Sequence, residues 1–249
     1  MGRKLRLVLA GAPLLVTPAV IAVAPYADAT ACGATSSSNW HVGYATDASS
    51  TTMTSLYGIS ATVDVQDTSN CTGGGSGNFS NIYLMTFSSN FDGWTQVGYE
   101  KGVPSSSYPG THTFGQTYDG GSTASTWYSP GTLATGQTEN YKVQDYDSPP
   151  YLNQSYGFYN NAVAVTGKTT YWTSRHELEI AGEADYREDD IAGTKGNHVV
   201  IKNLKYMNKS NHTWYAMPAG IFYTHSDATK WKHNSVSGTE KDLWTNPTN

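Results

Sequence analysis

Charge is scarce in this chain: Asp, Glu, Lys and Arg together make up 14% of its 249 residues. Coiled coils and long helical bundles are built from Glu, Lys, Ala and Leu in bulk, so that architecture is excluded. No window of about a dozen residues repeats apolar side chains with helical spacing, which removes amphipathic helices as the main building unit. A long hydrophobic run occurs only once, at the N-terminus. Cysteine is limited to Cys32 and Cys71, and two distant thiols do not supply a structural metal centre. What is abundant is aromatic and small, with 18 Tyr, 7 Trp and 25 Gly. A disordered chain lacks such an aromatic load, so the composition is that of a globular, extracellular β protein.

The N-terminal run has the layout of an export signal. Arg3, Lys4 and Arg6 precede an apolar stretch from Leu7 to Val23, and Ala27-Asp28-Ala29 offers a small-x-small cleavage site. Residues 1–29 are therefore expected to be removed, leaving a secreted domain over 30–249. No second stretch of about 20 apolar residues follows to hold the chain in a membrane. Cleavage takes away Arg3, Lys4, Arg6 and Asp28, leaving 12 basic residues against 19 acidic ones and a formal charge of −7. A surface this acidic has no phosphate-tracking patch, so nucleic acid is not an expected partner. In an oxidising compartment the even cysteine count points to one bridge, Cys32–Cys71. It would close a loop of about 40 residues and stabilise by about 4 kcal/mol before strain, tying down the new N-terminus.

Along the mature chain, short alternating segments are separated by turn chemistry such as Asp119-Gly120-Gly121, Pro130-Gly131 and Pro149-Pro150. Tyr57, Ile59, Ala61, Val63 and Val65 alternate with polar or small residues, the pattern of a half-buried strand. Similar segments recur at 82–87, 95–101, 141–146, 162–165, 175–183, 198–206, 213–217 and 221–225. Residues 34–55 and 66–80, rich in Ser, Thr, Gly and Asn, read as loops, and the polar tail 234–249 reads as a loosely packed end. Many short strands without helices must bury their apolar faces against each other. The expected fold is all-β, a single two-sheet antiparallel sandwich of the jelly-roll or lectin-like kind.

Familiar catalytic motifs fail residue by residue. Gly167-Lys168-Thr169 lacks the upstream glycine of a phosphate loop, since Ala162 stands there. His176-Glu177 lacks the second histidine of a zinc protease, since Ile180 stands there. No G-x-S-x-G elbow occurs. The acidic run Glu183, Asp185, Glu188, Asp189 and Asp190 matches no EF-hand spacing and reads as a solvated loop partly neutralised by Arg187. No cofactor is expected.

Two segments carry the remaining chemistry. In Arg175–Glu183, period 2 sends His176, Leu178 and Ile180 one way and Arg175, Glu177, Glu179 and Glu183 the other. Carboxylates two positions apart on a strand lie about 6.5–7 Å apart, close enough for mutual repulsion to raise a pKa. In Trp94–Glu100, Val97 and Tyr99 face inward, while Trp94, Gln96, Gly98 and Glu100 share the other face. An amide, an indole and a carboxylate beside a bare glycine could line a shallow groove. The ordinary role of such side chains, a solvated sheet face, stands beside this reading for each of them.

Gln96-Val97-Gly98 after a Trp, followed downstream by a Glu-rich strand, resembles the pattern of the glutamic peptidases and the related neprosin-type proteins. The resemblance implies a secreted, concanavalin-like sandwich in which Gln96 stabilises an oxyanion and Glu183 or Glu179 activates water. If Glu177 takes the first glutamate of that family's Ala-Glu-Trp-Ile-x-Glu strand, Ala181 falls at the catalytic position, and a shift of two reaches either candidate. In composition alone the chain is also similar to the small retaining xylanase and cellulase sandwiches.

Tyr108, Tyr118, Trp127, Tyr128, Tyr151, Tyr156, Tyr159 and Tyr171 lie in or beside Gly, Ser and Asn stretches. Flat rings next to amides and hydroxyls are the makings of a sugar-binding surface. The leading expectation is thus a secreted sandwich that binds an extracellular polymer, polysaccharide before protein, with Trp94, Glu100, Glu177, Trp127 and Tyr128 as binding candidates. The alternatives are an acid-acting peptidase-like hydrolase using Gln96 with Glu183 or Glu179, and a glycosidase with a carboxylate pair among Glu100, Glu177, Glu179 and Glu183. The oligomeric state is not set by composition.

Overall fold

A computed structural model describes residues 31–33, 40–46, 56–71, 78–102, 110–121, 124–170, 172 and 176–246. The export signal assigned to 1–29, together with Tyr108, Tyr171 and Arg175, lies outside the described residues. Among those described there is no helix. The strands are β1 (Trp40–Thr46), β2 (Leu56–Asp64), β3 (Ser80–Ser88), β4 (Trp94–Lys101), β5 (Thr111–Tyr118), β6 (Ser125–Thr132), β7 (Thr138–Tyr146) and β8 (Gln154–Tyr159). They continue as β9 (Ala162–Lys168), β10 (His176–Ala184), β11 (Val199–Asn208), β12 (Thr213–Ala216), β13 (Phe222–Ser226), β14 (Trp231–Ser235) and β15 (Lys241–Thr245).

They form two antiparallel sheets packed face to face. One has seven strands in the order β13-β1-β10-β3-β4-β5-β6, the other eight in the order β14-β15-β11-β2-β7-β8-β9, with β12 added beside β11. The alternation seen in sequence explains the packing. Ile59, Ala61 and Val63 of β2 and Tyr141 and Val143 of β7 meet Ile82 and Leu84 of β3, Val97 and Tyr99 of β4, and Leu178 and Ile180 of β10 in one apolar core. Each such large side chain, fully withdrawn from water, contributes roughly 1.5–3 kcal/mol. A second, smaller cluster lies on the opposite face of the seven-stranded sheet, where Tyr83, Met85, Phe87, Phe114 and Ala181 pack with Trp94 and Tyr128. The core thus fixes which side chains β3, β4 and β10 turn outward.

A buried polar group centred on Asp145 crosses the core. Asp145 of β7 is fully buried and accepts from Thr86 Oγ1 of β3 at 3.0 Å and from Ser155 Oγ of β8, and its Oδ2 lies 2.8 Å from His176 Nδ1 of β10. His176 is held between the rings of Tyr57 and Trp172, each centroid 4.7 Å away.

Four expectations need correction. Residues 40–46, read as loop, form β1, which pairs with both β10 and β13. Val42 and Tyr44 supply its buried face, while Gly43 and Ala45 blank out the apolar contrast on the other. The tail is not loose: β14 and β15 pair over five residues, Leu243 is fully buried, and Lys241 Nζ donates to Ser235 Oγ and Ser237 O at 2.6 Å. Lys241 finds its partners within the tail itself. The acidic run is not a solvated loop either. Asp189 is fully buried and accepts the Cys71 N–H at 2.7 Å and the Tyr186 N–H at 3.2 Å, and Asp190 lies 2.9 Å from Lys230. Arg187 turns away to the Asp227 carbonyl and the Trp40 ring. Lastly, Tyr118, Trp127, Tyr128, Tyr156 and Tyr159 belong to strands and are only partly exposed, whereas Tyr151 keeps 47% of its surface open. The Cys32–Cys71 bridge is formed, with a Cα–Cα distance of 5.0 Å.

Candidate active site

The outward face of the seven-stranded sheet is organised in rows that run across the strands. Gln116, Gln96, Met85 and Glu179 occupy one row, joined by the register of β5, β4, β3 and β10. The next row holds Phe114, Gly98, Tyr83, Ala181, Gly43 and His225. The row beyond it holds Glu100, Asn81, Glu183 and His41. The small residues Gly98, Ala181 and Gly43 lower the middle row, and the side chains on either side of it bound an open groove of about 470 Å³. Its lining includes Gln96, Gln116, Glu179, Glu183, Tyr83, Met85, Trp94, His41 and His225, with Phe91 and Tyr223 at the rim.

Gln96 and Glu179 stand two strands apart on the same row, which separates their Cα atoms by about 9.5 Å. Met85 forms the floor between them. The Gln96 amide is fixed by a chain in which its Nε2 donates to Gln116 Oε1 at 2.9 Å and Gln116 Nε2 donates to Thr126 Oγ1 at 3.0 Å. One N–H of that amide remains for the groove. Glu179 accepts from Tyr83 Oη at 3.0 Å on one oxygen, and its other oxygen lies 3.5 Å from His225 Nε2. Burial pushes the Glu179 carboxyl up to about 7, opposed by His41 and Tyr83. Glu183, four positions further along β10, accepts from Asn81 Nδ2 at 3.1 Å and lies 3.5 Å from His41 Nε2. Burial works against charge on His41, but Glu183, Glu179 and Asp227 outweigh it and hold the imidazole above its ordinary value.

The sequence candidates divide accordingly. Gln96, Glu179, Glu183 and Trp94 all line the groove. Glu100 and Glu177 are on the same face and buried, yet neither lines it. Glu100 is also pushed up to about 7 by burial, and Tyr128 Oη donates to it at 3.1 Å. Tyr128 thus stands on the same face, beside Phe114 at the end of the middle row, without lining the groove. Its neighbour Trp127 points the other way, since it pairs with Gly115, whose missing side chain would meet Val165 of the opposite sheet. The structure therefore does not bring Trp127 to the groove.

Sequence reasoning passed over His41, Asn81, Tyr83, Gln116, Tyr223 and His225. A signal for several was present, because period 2 through 82–87 and 221–225 puts Tyr83, Tyr223 and His225 outward. Phe91 left no such signal. It adopts a left-handed backbone with φ of 54°, is 58% exposed, and stacks on Phe87 at 4.6 Å. A non-glycine residue in that conformation is held at a cost of about 1 kcal/mol or more, a feature that gathers at functional rims.

No protein-family model and no curated protein matches the chain. Among solved structures, scytalido-glutamic peptidase bound to a transition-state analogue inhibitor superposes with a TM-score of 0.54 at 13% identity, over 84% of this chain and 98% of that one. The same enzyme with a peptide-based transition-state analogue gives 0.52 at 12% identity, over 83% and 98%. This chain resembles the glutamic peptidases in fold. A glycoside hydrolase family 16 endo-glucanase from Bacteroides ovatus is a looser likeness, with a TM-score of 0.33 at 11% identity over 62% of this chain and 71% of that one.

Proposed function

We propose that the protein is a secreted hydrolase of the glutamic-peptidase kind, cleaving an extended peptide laid in the groove, with Glu179 as general base and Gln96 as oxyanion partner. The observation that carries this reading is the shared row: an oriented amide and a perturbed carboxylate face each other across one floor residue, with room for a water and a carbonyl between them. In the attack step Glu179 takes a proton from water, the water oxygen bonds to the carbonyl carbon, and the carbonyl electron pair moves onto the oxygen facing the Gln96 N–H. Glu179 then returns the proton to the leaving nitrogen as the C–N bond breaks. Glu183 is the weaker candidate for base. It lies two strands across and about 13 Å along the strand from the Gln96 row.

Two features favour chemistry over binding alone. A carboxyl shifted by burial and specific partners inside a cleft is the mark of a reacting group. The rings that suggested a sugar platform, Trp127, Tyr128, Tyr151, Tyr156 and Tyr159, do not line the groove. A glycosidase pair is less supported because Glu100 and Glu177 are off its lining. The two that line it, Glu179 and Glu183, stand four positions apart on one strand, about 13 Å along it and wider than the spacing of about 5–9.5 Å such a pair uses. Export of a domain beginning near Thr30 rests on the N-terminal residues, and the Cys32–Cys71 bridge supports an oxidising compartment.

The test is hydrolysis of denatured protein from pH 3 to 8 by wild type, Gln96→Ala and Glu179→Gln. A base held near 7 moves the expected acid limb up from the range of an ordinary glutamate. Each variant should lose about a hundredfold or more of kcat/KM. Unchanged cleavage by both ends the assignment.

A further inference from the structure

Glu179 has a neighbour that its own strand does not supply. His225 belongs to β13, the edge strand, and is separated from β10 by β1. The residues that β1 turns outward between them are Gly43 and Ala45, paired with Ala181 and Glu179 on one side and with His225 and Tyr223 on the other. No bulky side chain blocks the diagonal, and His225 Nε2 reaches to 3.5 Å from Glu179 Oε1. Tyr83 Oη occupies Oε2 from the opposite side at 3.0 Å.

The tautomer follows from the other ring nitrogen. His225 Nδ1 is buried and has no hydrogen-bond partner among the described residues. A proton there would be a stranded donor, which is costlier than a bare ring nitrogen. The proton therefore sits on Nε2, facing Glu179. The groups around the pair agree. His41 of β1 lies 6.4 Å away ring to ring, Glu183 shares β10, and Asp227 follows β13. Burial, then the charge on His41, hold His225 below its ordinary value, with Asp227 opposing and His233 of β14 adding to the depression.

We propose that His225 is a positioning residue for Glu179: as a neutral imidazole reaching over the small residues of β1, it donates Nε2–H to Oε1 while Tyr83 holds Oε2. The carboxylate is thereby fixed, and its ionised form gains a donor that partly offsets burial. This rests on the hydrolase reading above. His225 retains its proton throughout; the proton from water goes to Glu179.

The experiment combines kinetics with nitrogen NMR on histidine-labelled full-length protein. His225→Ala should lower kcat about tenfold or more with KM within about threefold, because positioning is lost and binding is not. It should also move the acid limb of the pH profile upward, since the ionised carboxylate loses a donor. His225→Gln, which can present an amide N–H, should recover part of both effects, and thermal unfolding of each variant confirms folding. By NMR, Glu179→Gln should shift the His225 ring signals while leaving His212, which is paired with Asp147 elsewhere, unmoved. In an active enzyme, a His225→Ala profile with the wild-type limb and kcat overturns the proposal. If wild type cleaves nothing, the hydrolase reading fails by itself, and His225 signals indifferent to Glu179→Gln still overturn the pairing.

Discussion

At position 98 a side chain has no place to go. A Cβ there would sit against the Ile82 carbonyl and 2.7 Å from the Tyr83 Cα of β3, so glycine permits the close approach of β4 to its neighbour. The sequence suggested a bare glycine beside a groove, and the space that Gly98 spares is against β3. Gly98→Ala should therefore push β4 off β3, lower stability by about 1–3 kcal/mol, and reduce turnover by carrying Gln96 out of its row. Denaturant unfolding together with kcat measures both; full activity with wild-type stability would contradict the account. At this scale, parity made Gln96, Glu179 and Glu183 legible as a set. The contact between His225 and Glu179 was not, because it spans two strand spacings and needs Gly43 and Ala45 between, and no single-strand pattern encodes a partner two strands away.

Strands with regular contrast, β2, β4 and β10, are readable from alternation alone, since one face is apolar and the other polar. β1 escapes that reading because Gly43 and Ala45 remove the contrast, and β14 and β15 escape it because Lys241 spends its polarity on Ser235 and the Ser237 carbonyl and Asp242 pairs with His198. Beyond apolar contact the two sheets are joined by the Asp145 group and by the buried contact of Thr113 Oγ1 on β5 with Tyr141 Oη on β7 at 3.3 Å. The Asp145 group joins β7 to Thr86 of β3, Ser155 of β8 and His176 of β10. Asp145→Ala strips a buried acceptor from three donors at once and should cost about 3–5 kcal/mol. Lys101→Ala, which removes the more exposed pair with Asp67 at 2.7 Å, should cost about 1 kcal/mol. Denaturant midpoints of the two variants compare them directly, and equal costs would remove Asp145 from its role between the sheets.

Across the whole molecule three buried carboxyls are shifted in the same direction. Glu100 and Glu179 are pushed up to about 7 and Asp189 to about 6, in each case first by burial, and His41 is raised by its carboxylate neighbours against burial. Between about pH 4.5 and 7 the folded protein therefore holds protons on Glu100 and Glu179 that the unfolded chain has released. Stability must fall as pH rises through that window. His225 and His233 act in the opposite sense, being held below their ordinary value by burial, and they soften the slope without reversing it. Each buried glutamate can account for about 1–3 kcal/mol, so the unfolding midpoint at pH 5 should exceed that at pH 8 by about 5 °C or more. Replacing Glu100 and Glu179 together by Gln should flatten the dependence, since Gln keeps the shape and carries no proton to lose. A midpoint that stays level or climbs from pH 5 to 8 in wild type would refute this. The same ionisation that makes Glu179 a base is thus the one the fold resists, so the pH range of best catalysis should lie above that of greatest stability, a separation that the midpoint and kcat/KM profiles of one preparation measure together.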